Sequence, residues 1–242
     1  MKILDLHTHI LPGVDDGAAT MADSIAMLQN AQASDVAAVV VTPHCNIPGF
    51  CQNYYDDGYL ASLRALRAAA AQGAVPVQIL AGMEVRVNDG LLPLLRDKKV
   101  LTLNGSRYLL TEFAPDAAPG YCSGMLRKII SLDYIPLIAH PERYACVWQR
   151  PECVDDWLAL GCQMQLTGGS ILGKFGFEAQ RTALLLLERD WAACVASDAH
   201  GPRRRTNFLG DVYDYLCLHF SEDHARRLLW ENPLRICQND LL

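Results

Sequence analysis

The stretch that decides the fold is KILDLHTHILPGVDDG, which spans residues 2–17. Residues 2–6 are apolar enough to form a short buried strand. His7 and His9 follow directly, and residues two apart in an extended chain point to the same side. Proline and glycine bend the chain after them, and Asp15 and Asp16 lie inside this bend. Two imidazoles and a carboxylate predict a site for a divalent ion such as zinc, manganese or iron.

Six further short apolar segments are predicted to be strands, and helices separate them. The seven predicted strands cover residues 2–6, 36–41, 75–80, 107–110, 135–139, 162–166 and 192–196. This alternation indicates βα units with parallel strands and right-handed crossovers. An α/β fold is therefore predicted, either an open doubly wound sheet or a closed barrel, and its last helix is expected to end at about residue 229.

Polar residues favour the barrel, because they follow six of the seven predicted strands. In a barrel the carboxyl ends of all strands surround one mouth, whereas in an open sheet they form a row too long for one site. A carboxylate at the end of a buried strand also needs a cation or hydrogen bonds. The candidate metal ligands are His7, His9, Asp16, His44, Glu84, Glu112, His140, Asp198 and His200.

This set is too large for one metal ion, which takes about four to six ligands. It suits two or three ions that share carboxylates, and clustered ions of this kind promote the hydrolysis of phosphate esters. Arg143 lies three residues after His140, and a run of three arginines occupies 203–205. Guanidinium groups bind phosphate bidentately, so these arginines are candidates for holding a phosphoryl group.

The composition limits the compartment and the partners of the protein. The 242 residues are 51% hydrophobic and carry a net charge of −6, which does not indicate nucleic-acid binding. The sequence contains no apolar run of membrane-spanning length, and because a strand is predicted from residue 2 we expect no signal peptide. Nine cysteines without a Cys-x-x-Cys pair suggest reduced thiols and a cytoplasmic protein. We expect one domain over residues 1–242.

These motifs together resemble the PHP (polymerase and histidinol phosphatase) superfamily. The resemblance covers essentially the whole chain, and its motifs include His7-x-His9, Asp15-Asp16-Gly17, Thr42-Pro43-His44, Gly82-x-Glu84, Glu112-Phe113, His140-Pro141-Glu142-Arg143-Tyr144 and Ser197-Asp198-x-His200. More narrowly, the 9–17 loop and the closing Glu231-Asn232-Pro233 are similar to manganese-dependent bacterial protein-tyrosine phosphatases of capsule and exopolysaccharide loci.

The resemblance implies a distorted seven-stranded, TIM-like (β/α) barrel with a trinuclear metal centre. The family's ligands match all nine candidates, and Arg143 matches the arginine that contacts the substrate phosphate. Arg205 matches a second such arginine only approximately, because the preceding Gly201-Pro202-Arg203-Arg204 departs from the family pattern. The choice among the three arginines therefore stays open, as does the role of the loop at 45–58.

The resemblance further implies hydrolysis of phosphotyrosine on a tyrosine autokinase that controls capsule or exopolysaccharide synthesis. We expect two or three manganese ions, with iron, zinc or magnesium as alternatives. In our hypothesis a metal-activated hydroxide attacks phosphorus in line, and no covalent phosphoenzyme forms.

Three other functions compete with this interpretation. The same metal site suits histidinol phosphate or another small phosphomonoester, and a metal-binding module without catalysis is a further alternative. A cysteine-based phosphatase is disfavoured, because no cysteine has an arginine at Cys-x5-Arg spacing. The sequence leaves the partner kinase and the oligomeric state open.

Overall fold

The computed structural model describes residues 1–242 and contains nine parallel strand segments. The strands are β1 (Ile3–Thr8), β2 (Val36–Val41), β3 (His44–Cys45), β4 (Gln78–Ala81), β5 (Glu84–Arg86), β6 (Tyr108–Glu112), β7 (Ile135–Ala139), β8 (Gln163–Thr167) and β9 (Cys194–Ala196). All seven predicted strands are present, with ends that differ by a few residues. The α/β class is confirmed.

Two of the predicted strands are each followed by a short second segment that was not predicted. Pro43 separates β2 from β3, and Gly82 and Met83 separate β4 from β5. Proline has no N–H group to donate to a neighbouring strand, which explains the first break. The parallel ladders therefore form two sheets, in the orders β1-β2-β4 and β3-β5-β6-β7-β8-β9. This arrangement is the predicted distorted seven-stranded barrel, with a ladder that is not continuous around it.

The last strand meets the first through a few contacts rather than a regular ladder. The Asp198 amide donates to the His7 carbonyl at 2.9 Å, and the His9 amide donates to the Ala199 carbonyl at 2.8 Å. Deeper in the barrel, buried Asp5 accepts from the amide and the hydroxyl of Ser197 at 2.9 and 2.6 Å. A carboxylate thus replaces the missing ladder bonds between β1 and β9.

Helices surround the strands on the outside. They are α1 (Met21–Ala33), α2 (Asp57–Gln72), α3 (Leu91–Arg96), α4 (Pro119–Ile130), α5 (Ala145–Gln149), α6 (Glu152–Ala159), α7 (Gly168–Ile171), α8 (Phe177–Glu188), α9 (Gly210–His219), α10 (Glu222–Arg226) and α11 (Asn232–Gln238). None of these helices combines the length and apolar composition needed to cross a bilayer.

Alternating strand residues divide the core into two parts, because successive side chains of a strand point to opposite faces. Leu4, Leu6 and Val40 belong to the smaller cluster inside the barrel. Ile3 and Val39 belong to the larger cluster, which packs against the helices.

The C-terminal helix α11 closes the end of the barrel opposite the strands' carboxyl ends. Ile236 lies in the inner core cluster, and Asn104 donates to the Cys237 carbonyl at 3.1 Å. The expectation that the last helix ends near residue 229 is wrong. A π-helical segment at Arg227–Glu231 continues into α11, since Pro233 occupies the first turn, where a missing N–H costs nothing.

Tyr144 links the carboxyl ends of the neighbouring strands β6 and β7. Its buried hydroxyl donates to the Ala139 carbonyl at 2.7 Å and accepts from the Phe113 amide at 3.1 Å. Its position directly after Arg143 lets it anchor the segment that follows β7.

Replacing this hydroxyl should destabilise the protein. Tyr144→Phe leaves a buried carbonyl and a buried amide without partners, which costs about 1–3 kcal/mol of unfolding free energy for each group. Tyr121→Phe is the matched control, because the exposed Tyr121 hydroxyl contacts only Asp89 at 3.5 Å. Urea unfolding measures both free energies, and an equal effect of the two substitutions would contradict the anchoring role.

Candidate metal centre

The first strand brings His7 and His9 to one place, as the sequence predicts. Both side chains are fully buried, and their Nε2 atoms lie 3.1 Å apart. The loop after them returns close to the strand, where a side chain at Gly17 would collide with the His9 carbonyl. This close approach explains the glycine.

Hydrogen bonds fix which nitrogen of each of these imidazoles carries a proton. His7 Nδ1 donates to the Gln165 amide oxygen at 2.8 Å, and His9 Nδ1 donates to Asp15 at 2.8 Å. In the neutral rings both Nε2 atoms therefore present lone pairs to each other. Lone pairs at this distance repel unless a cation lies between them, so the pair fits a metal ion.

The electrostatics of the two histidines also favour positive charge. Burial lowers the pKa of His7, but the charges of Glu84 and Asp198 outweigh it and the pKa lies above its ordinary value. For His9, burial is likewise outweighed, mainly by Asp15 and Asp198, and the pKa is raised well above its ordinary value. A bound cation would supply the charge that this environment prefers.

Neighbouring strands place the next three candidates beside each other. His44 pairs with Glu84 in the register of β3 and β5, and His44 Nδ1 lies 2.9 Å from Glu84 Oε2. Glu112, at the end of β6, is 3.9 Å from the same His44 nitrogen. Burial, followed by the charge of Glu84, raises the pKa of Glu112 to about 7. A bound cation would offset the electrostatic repulsion between the carboxylates of Glu84 and Glu112.

His140 and Asp198 reach the centre from left-handed backbone conformations, with φ of 36° and 53°. His140 Nε2 lies 2.9 Å from Glu84 Oε1, while Asp198 Oδ1 lies 3.4 Å from His7 Nε2. Non-glycine residues adopt positive φ uncommonly, and here the left-handed backbone turns both side chains towards the centre.

The remaining two candidates form the outer part of the centre. His200 Nδ1 donates to the Asp198 carbonyl at 3.0 Å, which leaves its Nε2 free to act as a ligand. Asp16 Oδ1 lies 3.5 Å from His200 Nε2 and 3.5 Å from His44 Nε2. Asp16 is half exposed and lies at the solvent side of the site.

All nine predicted residues meet in four overlapping groups, and the potential ligand atoms within each group lie within 4.8 Å of one another. The groups are His9/Asp16/His44/His200, His7/Glu84/His140, His7/His9/Asp198 and His44/Glu84/Glu112. Three buried atoms among them, His44 Nδ1, Glu84 Oε2 and Glu112 Oε2, form no hydrogen bond of good geometry, although His44 Nδ1 lies 2.9 Å from Glu84 Oε2 and Arg86 Nη2 lies 3.0 Å from Glu112 Oε2. Buried polar atoms are normally paired, so these atoms fit coordination of metal ions.

Two of the candidate arginines lie at this centre. Arg143 Nη2 donates to Asp198 and, at 3.2 Å, to the Thr167 hydroxyl, while Arg205 Nη2 donates to Asp198 at 2.7 Å. Arg203 and Arg204 are exposed and form no hydrogen bond with any of the nine residues. The geometry therefore favours Arg205 among the three arginines that the sequence left undecided.

Sequence reasoning missed Phe175, whose ring lies 4.7 Å from the Arg143 guanidinium carbon and 5.5 Å from that of Arg205. Its ring also packs on Gly169, where a side chain would come within 2.6 Å of it. No signal in the sequence places this phenylalanine at the site, because it lies in a loop far from any recognised motif.

Arg86 was also not identified from the sequence, although its spacing from Glu84 indicates that it lies at the site. Its Nη2 lies 3.0 Å from Glu112 Oε2. Arg86 follows Glu84 by two residues, so in an extended strand both side chains point towards the mouth of the barrel.

Comparison with known proteins identifies a family and several relatives that match nearly the whole chain. The family described as "Capsular polysaccharide synthesis, CpsB/CapC" matches residues 3–238. The tyrosine-protein phosphatase YwqE of Bacillus subtilis is 33% identical over 84% of this chain and 79% of its own. The putative tyrosine-protein phosphatase CapC of Staphylococcus aureus is 30% identical over 88% of this chain and 82% of its own. These relatives do not favour the histidinol-phosphatase alternative.

Solved structures agree. A structure from work on YwqE of Bacillus subtilis and CpsB of Streptococcus pneumoniae, described as unique metal-dependent tyrosine phosphatases, superposes with a TM-score of 0.91. It is 30% identical and covers 98% of this chain and 95% of that chain. An organophosphorus hydrolase from Deinococcus radiodurans, 13% identical with a TM-score of 0.61 over 97% of this chain and 92% of its own, shares the fold alone. The chain therefore belongs to the CpsB/CapC family of capsular polysaccharide synthesis proteins.

Proposed function

We propose that this protein hydrolyses phosphotyrosine in proteins with the help of two or three manganese ions, and that its substrate is a tyrosine kinase of a polysaccharide locus. The observation that carries the proposal is the convergence of nine imidazole and carboxylate ligands and two arginines at one barrel mouth. Membership of a family whose relatives are named tyrosine phosphatases supports the substrate class.

The nine residues would hold the ions, and residues behind them would orient the ligands. Gln165 and Asp15 accept from the Nδ1 atoms of His7 and His9, so they orient both rings with Nε2 facing inward as the ligand atom. The ligand set contains imidazoles and carboxylates but no thiolate, which suits manganese as well as iron or zinc. When bound, the ions supply Lewis acidity and lower the pKa of the attacking water.

Arg143 and Arg205 would bind the non-bridging oxygens of the phosphoryl group. In this structure both donate to Asp198, so both guanidinium groups point into the centre. A cation that engages Asp198 neutralises their partner and leaves their donors available for phosphate. The leaving phenolate has a pKa of about 10, which makes it a fair leaving group without a dedicated acid.

We further propose that residues 1–242 act as one PHP-type domain and that the protein is cytoplasmic. All nine cysteines are free thiols, and eight of them are buried. Reducing compartments keep thiols in this state. Burial also raises the pKa of Cys45, beside His44, to about 12, which is unfavourable for a thiolate nucleophile.

Removal of metal should abolish activity. Protein stripped by a chelator, and shown by elemental analysis to be metal-free, should lose turnover of a phosphotyrosine peptide and regain it with manganese, at two or three ions per chain. Circular dichroism should show that the stripped protein is still folded. Full turnover by metal-free protein would refute the metal mechanism, whereas recovery on histidinol phosphate alone would replace the substrate.

Arg143→Gln should lower kcat/KM for the phosphotyrosine peptide by about 10²–10³-fold, the usual effect of losing one donor to a developing oxyanion. Arg150→Gln is the matched control, because exposed Arg150 pairs only with Asp156 at the surface. Steady-state kinetics with saturating manganese measures both variants. Similar kinetics for Arg143→Gln and the wild type would exclude a contact with the transferred phosphate.

Asp15→Asn should weaken metal binding although Asp15 is not among the nine candidates. Asp15 accepts from His9 Nδ1 and, at 2.9 Å, from the His44 amide, so it orients two ligands at once. Loss of such a partner typically costs 10–100-fold in metal affinity, about the effect expected here. Calorimetric titration with manganese provides the measurement, and exposed Asp116→Asn provides the control. Unchanged affinity in Asp15→Asn would contradict the orienting role.

A further inference from the structure

A cavity of about 360 Å³ adjoins the metal centre on the side of Arg205. Arg205 belongs to both sites, because it lines the cavity and also donates to Asp198 at 2.7 Å. The other side chains that give the cavity its character are Lys174, Phe175, Arg203, Arg204 and Phe208. None of the nine proposed metal ligands lines this cavity, so it is a separate space that adjoins the metal centre at Arg205.

The walls of this cavity carry positive charge that the protein does not neutralise. Lys174, Arg203 and Arg204 are exposed, and their side chains form neither a hydrogen bond nor an ion pair with the protein. Other surface arginines do pair with acidic residues, as Arg181 does with Glu178 at 2.8 Å, but here three unpaired cations line one cavity. Clustered cations on a chain of net charge −6 create a local field that attracts anions.

The loop that carries the arginines is held in place by hydrogen bonds. The His200 amide donates to the Arg205 carbonyl at 2.8 Å and closes the loop between them. Asn30, on α1, donates to the Pro202 carbonyl at 2.8 Å and ties the loop to the barrel. A loop fixed in this way loses little conformational freedom when a ligand binds, which favours binding.

The apolar walls of the cavity connect it to the reacting site. Phe175 lines the cavity while its ring lies against the guanidinium groups of Arg143 and Arg205. Phe208 provides a second aromatic surface and is 39% exposed. A cavity with cationic and aromatic walls suits a side chain that ends in an anion, and a longer or aromatic stem would fill it best.

We propose that this cavity is a second subsite, which binds an anionic side chain of the phosphotyrosyl substrate close to the residue being dephosphorylated. The inference rests on the proposed phosphatase function and adds a rule of substrate selection to it. The anion is either the carboxylate of an aspartate or glutamate or the phosphate of a second phosphotyrosine. Both would pair with Arg203 and Arg204 while Arg143 and Arg205 hold the reacting phosphate.

The test compares four substrates with manganese-loaded protein. Three phosphotyrosine peptides of equal length carry glutamates, glutamines or a second phosphotyrosine beside the reacting residue, and p-nitrophenyl phosphate has no flanking residues. The variant R203Q/R204Q removes two charges from the cavity. The variant R127Q/K128Q is the control, because it removes two adjacent exposed charges from the end of α4.

The double variant R203Q/R204Q should raise KM for the acidic peptide by about three- to tenfold, as two exposed charge pairs would. Its kcat/KM for the glutamine peptide and for p-nitrophenyl phosphate should change less than about twofold, within the scatter of a neutral surface substitution. The difference in KM for the acidic peptide between the wild type and R203Q/R204Q should become smaller at high salt, because exposed charges are screened. If the double variant raises KM more for the doubly phosphorylated peptide than for the glutamate peptide, the subsite binds phosphate. If it raises KM more for the glutamate peptide, the subsite binds carboxylate.

A binding measurement separates this proposal from the phosphatase function. Fluorescence anisotropy with a phosphate-free peptide rich in glutamate should show binding to the wild type and to R127Q/K128Q and at least threefold weaker binding to R203Q/R204Q, the lower limit of the charge effect. Absence of any phosphotyrosine turnover by the wild type would overturn the proposed function, while this binding result would still decide the subsite. Equal losses on acidic and neutral peptides, or equal binding by both double variants, would overturn the subsite.

Discussion

The crowding of buried imidazoles and carboxylates at the mouth of the barrel is the constraint on which the rest of this structure depends. Two imidazole nitrogens face each other at 3.1 Å, and Glu84 lies within 3.3 Å of both His7 and His9. Such a cluster is costly in a low-dielectric interior unless opposite charge is present. The fold must therefore hold groups together that would separate without cations, and the backbone strain at His140 and Asp198 is a part of that cost.

Asp198 connects the metal centre to the arginines that face it. One of its carboxylate oxygens lies near His7 and His9, and the other accepts from Arg143 and Arg205. Burial opposes its ionisation, but the charge of His7 followed by that of Arg143 holds the pKa of Asp198 well below its ordinary value. Asp198 therefore links the binding of cations at the centre to the freedom of Arg143 and Arg205 to bind phosphate. Phosphate binding and metal binding should reinforce each other in this arrangement.

Interruptions in the hydrogen bonding between strands help to place the ligands at the mouth of the barrel. Breaks at Pro43 and Gly82 leave His44 and Glu84 at the start of the short strands β3 and β5 rather than at the ends of longer ones. The gap between β1 and β9, which Asp5 bridges, admits Asp198 to the same side as His7. At the opposite end α11 closes the barrel, so the apolar interior stays covered while only the mouth opens to substrate.

The sequence alone determined the α/β class and the seven strands and predicted every residue of the proposed metal centre. Eight of the nine candidates follow a predicted strand within four residues, and Asp16 lies in the bend after the first strand, so all nine are expected at one edge of the strands. Several features depended on the tertiary structure instead. The choice of Arg205, the stacking of Phe175 and the cationic cavity arise where loops distant in sequence meet, and no local pattern encodes such a meeting. The helix α11 escaped prediction for a similar reason: its apolar residues are stabilised by packing into the end of the barrel, which no short sequence window contains.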